Sequence, residues 1–187
     1  VDYVLSAGEK AHYPVDEWAH WHKGVQVGQA PGKVHGLMVV DLRGDGRRCV
    51  FVLSEEGDRV FERTGRGKEF RDVTAPLKLA STSQGAAFAD FNADGRLDLA
   101  SWDGKRLSLW SQSAGGTFET RHASAVLETG CLGLSVIDVG MKGSAGILVS
   151  TERVPILVVP QPEGTLIVRD VVRLAAGQIL PPEEVNQ

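Results

Sequence analysis

One residue pattern occurs three times along the chain, beginning at Gly36, Gly85 and Gly133, which are 49 and 48 residues apart. In each copy an aspartate follows this glycine by five residues, and a second glycine follows the aspartate by five. The aspartates are Asp41, Asp90 and Asp138, and the second glycines are Gly46, Gly95 and Gly143. Tandem copies of one module predict a repeat fold in which each copy packs against its neighbours.

Each copy holds about four short apolar runs that are separated by turn residues. The runs that follow the three aspartates are 50–53, 97–100 and 147–149. Short runs rich in Val, Ile, Leu and Phe, bounded by Gly, Asp, Asn and Ser, indicate strands. The 22 glycines of the chain disfavour a helical repeat. Four strands in a copy of this length are typical of a β-propeller blade, so the sequence predicts an all-β fold of four-stranded antiparallel blades.

The repeat register divides the chain into three whole blades and part of a fourth. Residues 3–6 align with residues 51–54, which places the second strand of an incomplete blade near the N-terminus. The predicted units are a partial blade at 1–34, whole blades at 35–84, 85–132 and 133–174, and a tail at 175–187. We expect either a portion of a longer propeller or a ring that another polypeptide completes. An unusual four-bladed ring is the alternative.

The loop at 90–98 has the residue types that a hard cation requires. Oxygen-bearing side chains occupy its positions 1, 3, 5 and 9, and Gly95 can adopt the positive φ that a tight turn needs. An EF-hand is excluded because position 12 is Ser101, where that motif has a glutamate. The sequence predicts a Ca²⁺ site between two strands, and a metal-free turn is the alternative. The expected ligands are Asp90, Asn92, Asp94, Asp98 and the backbone carbonyl of Arg96.

The loops at Asp41 and Asp138 depart from this ligand pattern. Position 3 of the first loop is Arg43, and Lys142 lies at position 5 of the other. Neither loop is expected to hold calcium well. One hypothesis places Arg43 between Asp41 and Asp45 as a tethered replacement for the ion, with Lys142 playing the same part for Asp138. The alternative is a pair of degenerate turns with solvated charges.

Residues 85–100, together with 115–118 and the preceding segment 70–74, resemble an FG-GAP or VCBS repeat of integrin-α-like propellers. The resemblance covers about residues 35–170 and extends more weakly over 1–34. It implies Ca²⁺ binding by the loop at 90–98 and a location outside the cytoplasm, whether secreted, periplasmic or at the cell surface. It also implies binding to proteins or glycans, since that is what most such propellers do, although some carry enzymatic activity.

Composition excludes two classes of function. The net charge of −4 and the scattered basic residues give no electrostatic footprint for nucleic acid. The longest apolar stretch, at 154–159, is too short to span a bilayer. The resemblance implies a partner protein or a glycan, and the incomplete first blade leads us to expect further propeller blades from the same or another chain.

No spacing of residues identifies a catalytic centre. His20 and His22 could form a two-histidine metal site, but surface residues at a strand edge are the simpler interpretation. Trp18 and Trp21 could stack on a sugar or pack in the core. The sequence favours a non-catalytic, calcium-stabilised propeller segment for binding or assembly. The alternatives are the scaffold of an extracellular polysaccharide lyase or hydrolase and an accessory subunit of a redox complex.

Overall fold

The computed structural model describes residues 2–4, 26–65, 69–127, 130–139, 145–161 and 164–170. Every regular element in these ranges is a β-strand, and no helix occurs in them. The strands are β1 (Asp2–Val4), β2 (Gln26–Gln29), β3 (Val34–Val40), β4 (Cys49–Ser54), β5 (Arg59–Arg63), β6 (Phe70–Asp72), β7 (Gly85–Ala89), β8 (Asp98–Trp102), β9 (Arg106–Gln112), β10 (Phe118–Val126), β11 (Cys131–Asp138), β12 (Ala145–Thr151), β13 (Ile156–Pro160) and β14 (Leu166–Asp170).

Twelve of these strands form three four-stranded sheets, β3–β6, β7–β10 and β11–β14. Within each sheet, neighbours in sequence are neighbours in space and every pairing is antiparallel. This is the up-and-down order of a propeller blade. The prediction of an all-β fold of four-stranded antiparallel sheets is confirmed.

Each sheet can pack against a neighbour on either face, because successive side chains of a strand point to opposite sides of the sheet. In β8, Leu99 belongs to the apolar cluster shared with the β3–β6 sheet, whereas Ala100 belongs to the cluster shared with the β11–β14 sheet. Across the first interface the rings of Phe51 and Phe88 meet edge to face with centroids 5.2 Å apart. The middle sheet therefore contributes to both cores.

The strands β1 and β2 pair antiparallel in a separate two-stranded sheet. Val27 of β2 packs with Val52 and Phe61 on the face of the β3–β6 sheet that points away from the middle sheet. A Cβ atom at Gly28 would overlap the ring of Phe61, so glycine is required for this close approach. Tyr13, Trp18 and Trp21, which the repeat register assigned to the partial blade, lie outside the described residues.

A buried polar network joins the β3–β6 sheet to the segment that leads into β7. Asp58, in the turn between β4 and β5, is 1% exposed. Its carboxylate accepts hydrogen bonds from the Ser54 N–H at 2.9 Å and from the hydroxyls of Ser81 and Ser83 at 2.5 and 2.6 Å. The Ser83 hydroxyl also lies 2.9 Å from that of Ser101 in β8. Burial raises the pKa of Asp58 above its usual value, although the two hydroxyls oppose this shift.

The part of the chain that the structure describes holds no helix of the length and hydrophobicity needed to cross a bilayer.

Candidate functional site

The loop at 90–98 connects β7 to β8 and is closed by the side chain of its first residue. The two carboxylate oxygens of Asp90 accept the N–H groups of Asp94 at 3.0 Å and Gly95 at 2.7 Å. The backbone reverses through two left-handed residues, Ala93 with φ 58° and Gly95 with φ 80°. Each oxygen of Asp90 keeps a further lone pair after these bonds, so the carboxylate can still coordinate a cation.

Arg96 ties the middle of the loop to the end of β9. Its guanidinium lies 2.6 Å from an Asp94 carboxylate oxygen, and its Nε donates to the Gln112 carbonyl at 2.9 Å. The other Asp94 oxygen accepts the Arg96 N–H at 3.0 Å, and Asn92 Oδ1 accepts the Asp94 N–H at 3.1 Å. The Asp94 carboxylate thus forms an ion pair with the Arg96 guanidinium of its own loop.

Asp98, at position 9, is fully buried at the start of β8. Its carboxylate accepts the N–H groups of Gln112 at 2.9 Å and Phe91 at 3.2 Å. Burial is the main cause that raises the pKa of Asp98 to about 6, and repulsion from Asp94 and Asp90 adds to the shift. Three carboxylates therefore lie close enough to interact electrostatically.

The loop after Asp41 has the same backbone hydrogen bonds as the loop after Asp90. Asp41 accepts the N–H groups of Asp45 at 3.3 Å and Gly46 at 2.7 Å, and Asp45 accepts the Arg47 N–H at 2.9 Å. Gly44 and Gly46 take φ values of 65° and 82°. The Gly46 N–H is the largest cause that holds the pKa of Asp41 below its usual value. Since this loop lacks the ligand types at positions 3 and 9, its shape does not depend on a complete set of calcium ligands.

The hypothesis that Arg43 replaces an ion between Asp41 and Asp45 is wrong. The Arg43 guanidinium reaches the Glu62 carboxylate at 3.2 Å. Glu62 is a nearly buried acid in β5, where a guanidinium partner offsets more of the desolvation cost than it would at an exposed loop. Lys142, which was given the same part in the third loop, lies outside the described residues, as do His20 and His22.

The donors of the 90–98 loop fit a hard cation chemically, although several are engaged in the present conformation. Ca²⁺ takes carboxylate, amide and carbonyl oxygens, and this loop supplies all three kinds. The Nδ2 atom of Asn92 is buried without a hydrogen-bond partner among the described residues, so the side chain of Asn92 has an unused hydrogen-bond donor at the loop. Within those same residues, no three acidic, His or Cys side chains are arranged to hold a metal ion. Metal binding would therefore compete with the ion pair between Asp94 and Arg96.

Comparison with protein families identifies the module. Residues 41–101, which run from the first Asp loop to the end of β8, match the model of the FG-GAP-like repeat. This segment is similar to an FG-GAP-like repeat. The resemblance predicted from the sequence is confirmed over these residues, and FG-GAP repeats are typically found in extracellular proteins. No curated protein matches the sequence.

Proposed function

We propose that the chain is a non-catalytic β-propeller segment that Ca²⁺ stabilises at the loop of residues 90–98 and that binds a protein or glycan outside the cytoplasm. One observation carries the calcium part of the proposal. Asp90, Asp94 and Asp98 share one nine-residue loop, and in the described part of the chain neither Asp90 nor Asp98 has a cationic partner. A divalent cation would relieve the repulsion between these carboxylates.

The calcium ligands in this proposal are Asp90, Asn92, Asp94, Asp98 and the Arg96 carbonyl. The role of the ion is structural. Asp98 accepts the N–H of Gln112 at the end of β9, so the loop is connected to three strands of one sheet. Bound calcium would add to the stability of that sheet by binding the folded chain and not the unfolded one.

The binding part of the proposal is supported by the FG-GAP repeat at 41–101 and by the position of the loops. The loops at 41–48 and 90–97 join first and second strands of neighbouring sheets, so they lie at corresponding ends of the two sheets. Loops on a rigid sheet scaffold are where binding residues concentrate. Calcium at extracellular concentrations would occupy even a weak site of this type, which supports a location outside the cytoplasm.

A melting experiment tests the calcium site. We expect Ca²⁺ to raise the melting temperature of chelator-treated protein, since a ligand at 100 times its dissociation constant stabilises by about 2.7 kcal/mol. Asp94→Asn should abolish most of this shift. Arg96→Gln should strengthen calcium binding because it removes the cation that competes for Asp94. Mg²⁺ should stabilise less, since it requires a stricter octahedral geometry.

The matched control is Asp45→Asn in the loop after Asp41. Asp45 occupies the same loop position and accepts the same kind of backbone hydrogen bond as Asp94, at 2.9 and 3.0 Å respectively. This control should keep the full calcium shift. The proposed site would be contradicted if millimolar Ca²⁺ did not raise the melting temperature of the wild type. It would also be contradicted if Asp94→Asn and Asp45→Asn lost the calcium-induced shift equally.

A further inference from the structure

A cleft of about 500 Å³ opens between the loop after β3 and the turn after β5. We call it the arginine cleft. It is lined by Gly46, Arg47, Arg48, Glu62, Arg63 and Gly65. The antiparallel pairing of β4 with β5 forms this cleft. Cys49 pairs with Glu62, which brings the residues before β4 beside those at the end of β5. Its volume lies in the range of ligand-binding clefts.

The charge of this cleft is opposite to that of the whole protein. Among the residues that the structure describes, three arginines and one glutamate line it, a formal charge of +2, whereas the chain carries −4. The single acid, Glu62, is already paired with Arg43 at 3.2 Å and Arg71 at 3.3 Å, which add two more guanidinium groups beside the cleft. Glu62 therefore does not neutralise the arginines that line the cleft.

Two of those arginines are available to a ligand. Arg47 is 74% exposed and forms a salt bridge with Asp45 at 3.9 Å, a distance too long for a hydrogen bond. In the described part of the chain Arg48 has neither an ion pair nor a hydrogen bond, and it is exposed. A guanidinium has five N–H donors arranged to bind carboxylate, sulfate or phosphate oxygens in pairs.

The cleft also has open backbone beside these donors. A Cβ atom built at Gly46 or Gly65 would meet no other atom of the described residues within 4 Å, so the described structure leaves the space above both glycines open. A flat or ring-shaped group can approach the backbone at such positions. The cleft is therefore larger than a single inorganic anion requires.

The two Asp loops share a backbone arrangement but differ in their side chains. Their backbone hydrogen bonds agree, but Arg43 stands where the other loop has the oxygen donor Asn92, and Cys49 stands where it has Asp98. Arg48 takes the place of an apolar residue, Leu97. The loop after Asp41 thus lacks the oxygen donors of the 90–98 loop at positions 3 and 9 and has Arg48 at position 8, whereas both loops have an arginine at position 7, Arg47 and Arg96.

We propose that the arginine cleft binds an acidic glycan through its carboxylate or sulfate groups. The inference rests on the proposed binding role and names its ligand class, but it does not depend on the calcium site. One observation favours a glycan over nucleic acid. The part of the lining that the structure describes has no aromatic side chain on which a base could stack.

Titration of the full chain with short, defined oligosaccharides tests this site. The probes are a sulfated heparin-derived tetrasaccharide, a galacturonate trisaccharide and a neutral glucose trisaccharide. We expect the two acidic probes to bind, the neutral one not to bind, and binding to weaken as salt is added. The double substitution Arg47→Ala and Arg48→Ala should weaken binding about tenfold or more, since it removes charge-assisted hydrogen bonds.

The matched control is Arg153→Ala, because Arg153 is an exposed arginine in the turn between β12 and β13, outside the cleft. It should bind the acidic probes like the wild type. Glu62→Gln should increase affinity for the same probes, because it removes the acid of the cleft. Circular dichroism and urea unfolding establish that each variant is folded.

Three results would overturn the inference. Acidic oligosaccharides could fail to bind, or they could bind the double variant and the wild type equally. A short single-stranded oligonucleotide or a phosphopeptide could bind more tightly than the glycans and depend on Arg47 and Arg48, which would assign the cleft to another ligand class. The calcium-induced melting shift, measured on the same preparation, separates these results from failure of the proposed calcium site.

Discussion

Substitution of Asp58 by alanine removes the acceptor of three buried donors at once. The Ser54 N–H and the Ser81 hydroxyl lose the partner that Asp58 provides, and each buried donor left unsatisfied costs about 1–3 kcal/mol. Ser83 keeps its contact with the Ser101 hydroxyl, so it contributes less. Part of the loss is offset because the buried carboxylate, whose pKa burial raises, is no longer desolvated. We expect a net loss of about 3 kcal/mol in the free energy of unfolding.

Urea unfolding followed by circular dichroism measures this loss. With a slope of about 2–3 kcal/mol per molar urea, the midpoint should fall by about 1 M. The matched control is Asp103→Ala, in the turn between β8 and β9. Asp103 is exposed, and it accepts the N–H groups of Lys105 and Arg106 at 2.9 and 2.7 Å. Water can replace it there, so this change should cost less than about 1 kcal/mol.

The pH dependence gives an independent measure of the same network. Because the folded pKa of Asp58 is raised above the unfolded value, the folded state binds its proton more tightly. The stability contributed by the protonated carboxyl is fully present below the unfolded pKa and is lost as pH rises through the folded pKa. The stability of the wild type minus that of Asp58→Asn should therefore fall as pH rises from about 3.8. The reasoning is refuted if this difference is flat, or if Asp58→Ala costs no more than Asp103→Ala.

Two further predictions concern packing, and both use the same urea assay. Gly28→Ala should lower the free energy of unfolding by about 1–3 kcal/mol, because its methyl group would overlap the Phe61 ring. The control Gly36→Ala should lower it clearly less, since the nearest side-chain atom to its methyl group would be 3.9 Å away. Equal losses of stability would contradict the close approach of β2. Leu99→Ala should lower the free energy of unfolding by about 2–5 kcal/mol, because Leu99 is fully buried between two sheets. Leu132 is 68% exposed, so Leu132→Ala should change that free energy by less than about 0.5 kcal/mol. A comparable loss at both leucines would refute the assignment of the core.

The strands of the three sheets could be predicted because local sequence specifies them. Gly36, Gly85 and Gly133 each lie in the first strand of a four-stranded sheet, and the apolar runs that follow form the other strands. Alternating side chains and turn glycines are local signals, so no tertiary information is needed to recognise them. By contrast, β2 was not predicted. Its sequence contains two glutamines and Gly28, and it pairs with β1, a strand more than twenty residues earlier in the chain.

The side-chain clusters were harder to predict because they depend on register between distant residues. Basic residues look scattered in the sequence, yet the pairing of Cys49 with Glu62 brings Arg48 and Arg63 to one cleft. The network around Asp58 joins a turn to serines more than twenty residues away. Arg43 lies beside two aspartates in sequence but contacts Glu62, because the strand pairing places that buried acid within its reach.

The two Asp loops have the same backbone shape but different potential ligand side chains, so the shape of this motif does not depend on its ligand chemistry. Both loops close through the same bonds from an aspartate to the backbone, with distances of 2.7 Å at Gly46 and Gly95, although only one has a full set of oxygen donors. Both loops share the aspartates at positions 1 and 5, the glycine at position 6 and a left-handed residue at position 4, so these features accompany the turn in both copies. Side chains at positions 3, 8 and 9 are then free to differ between copies, because the backbone does not depend on them. Two loops with different ligand chemistry can therefore occur at corresponding positions of neighbouring sheets without any change of fold.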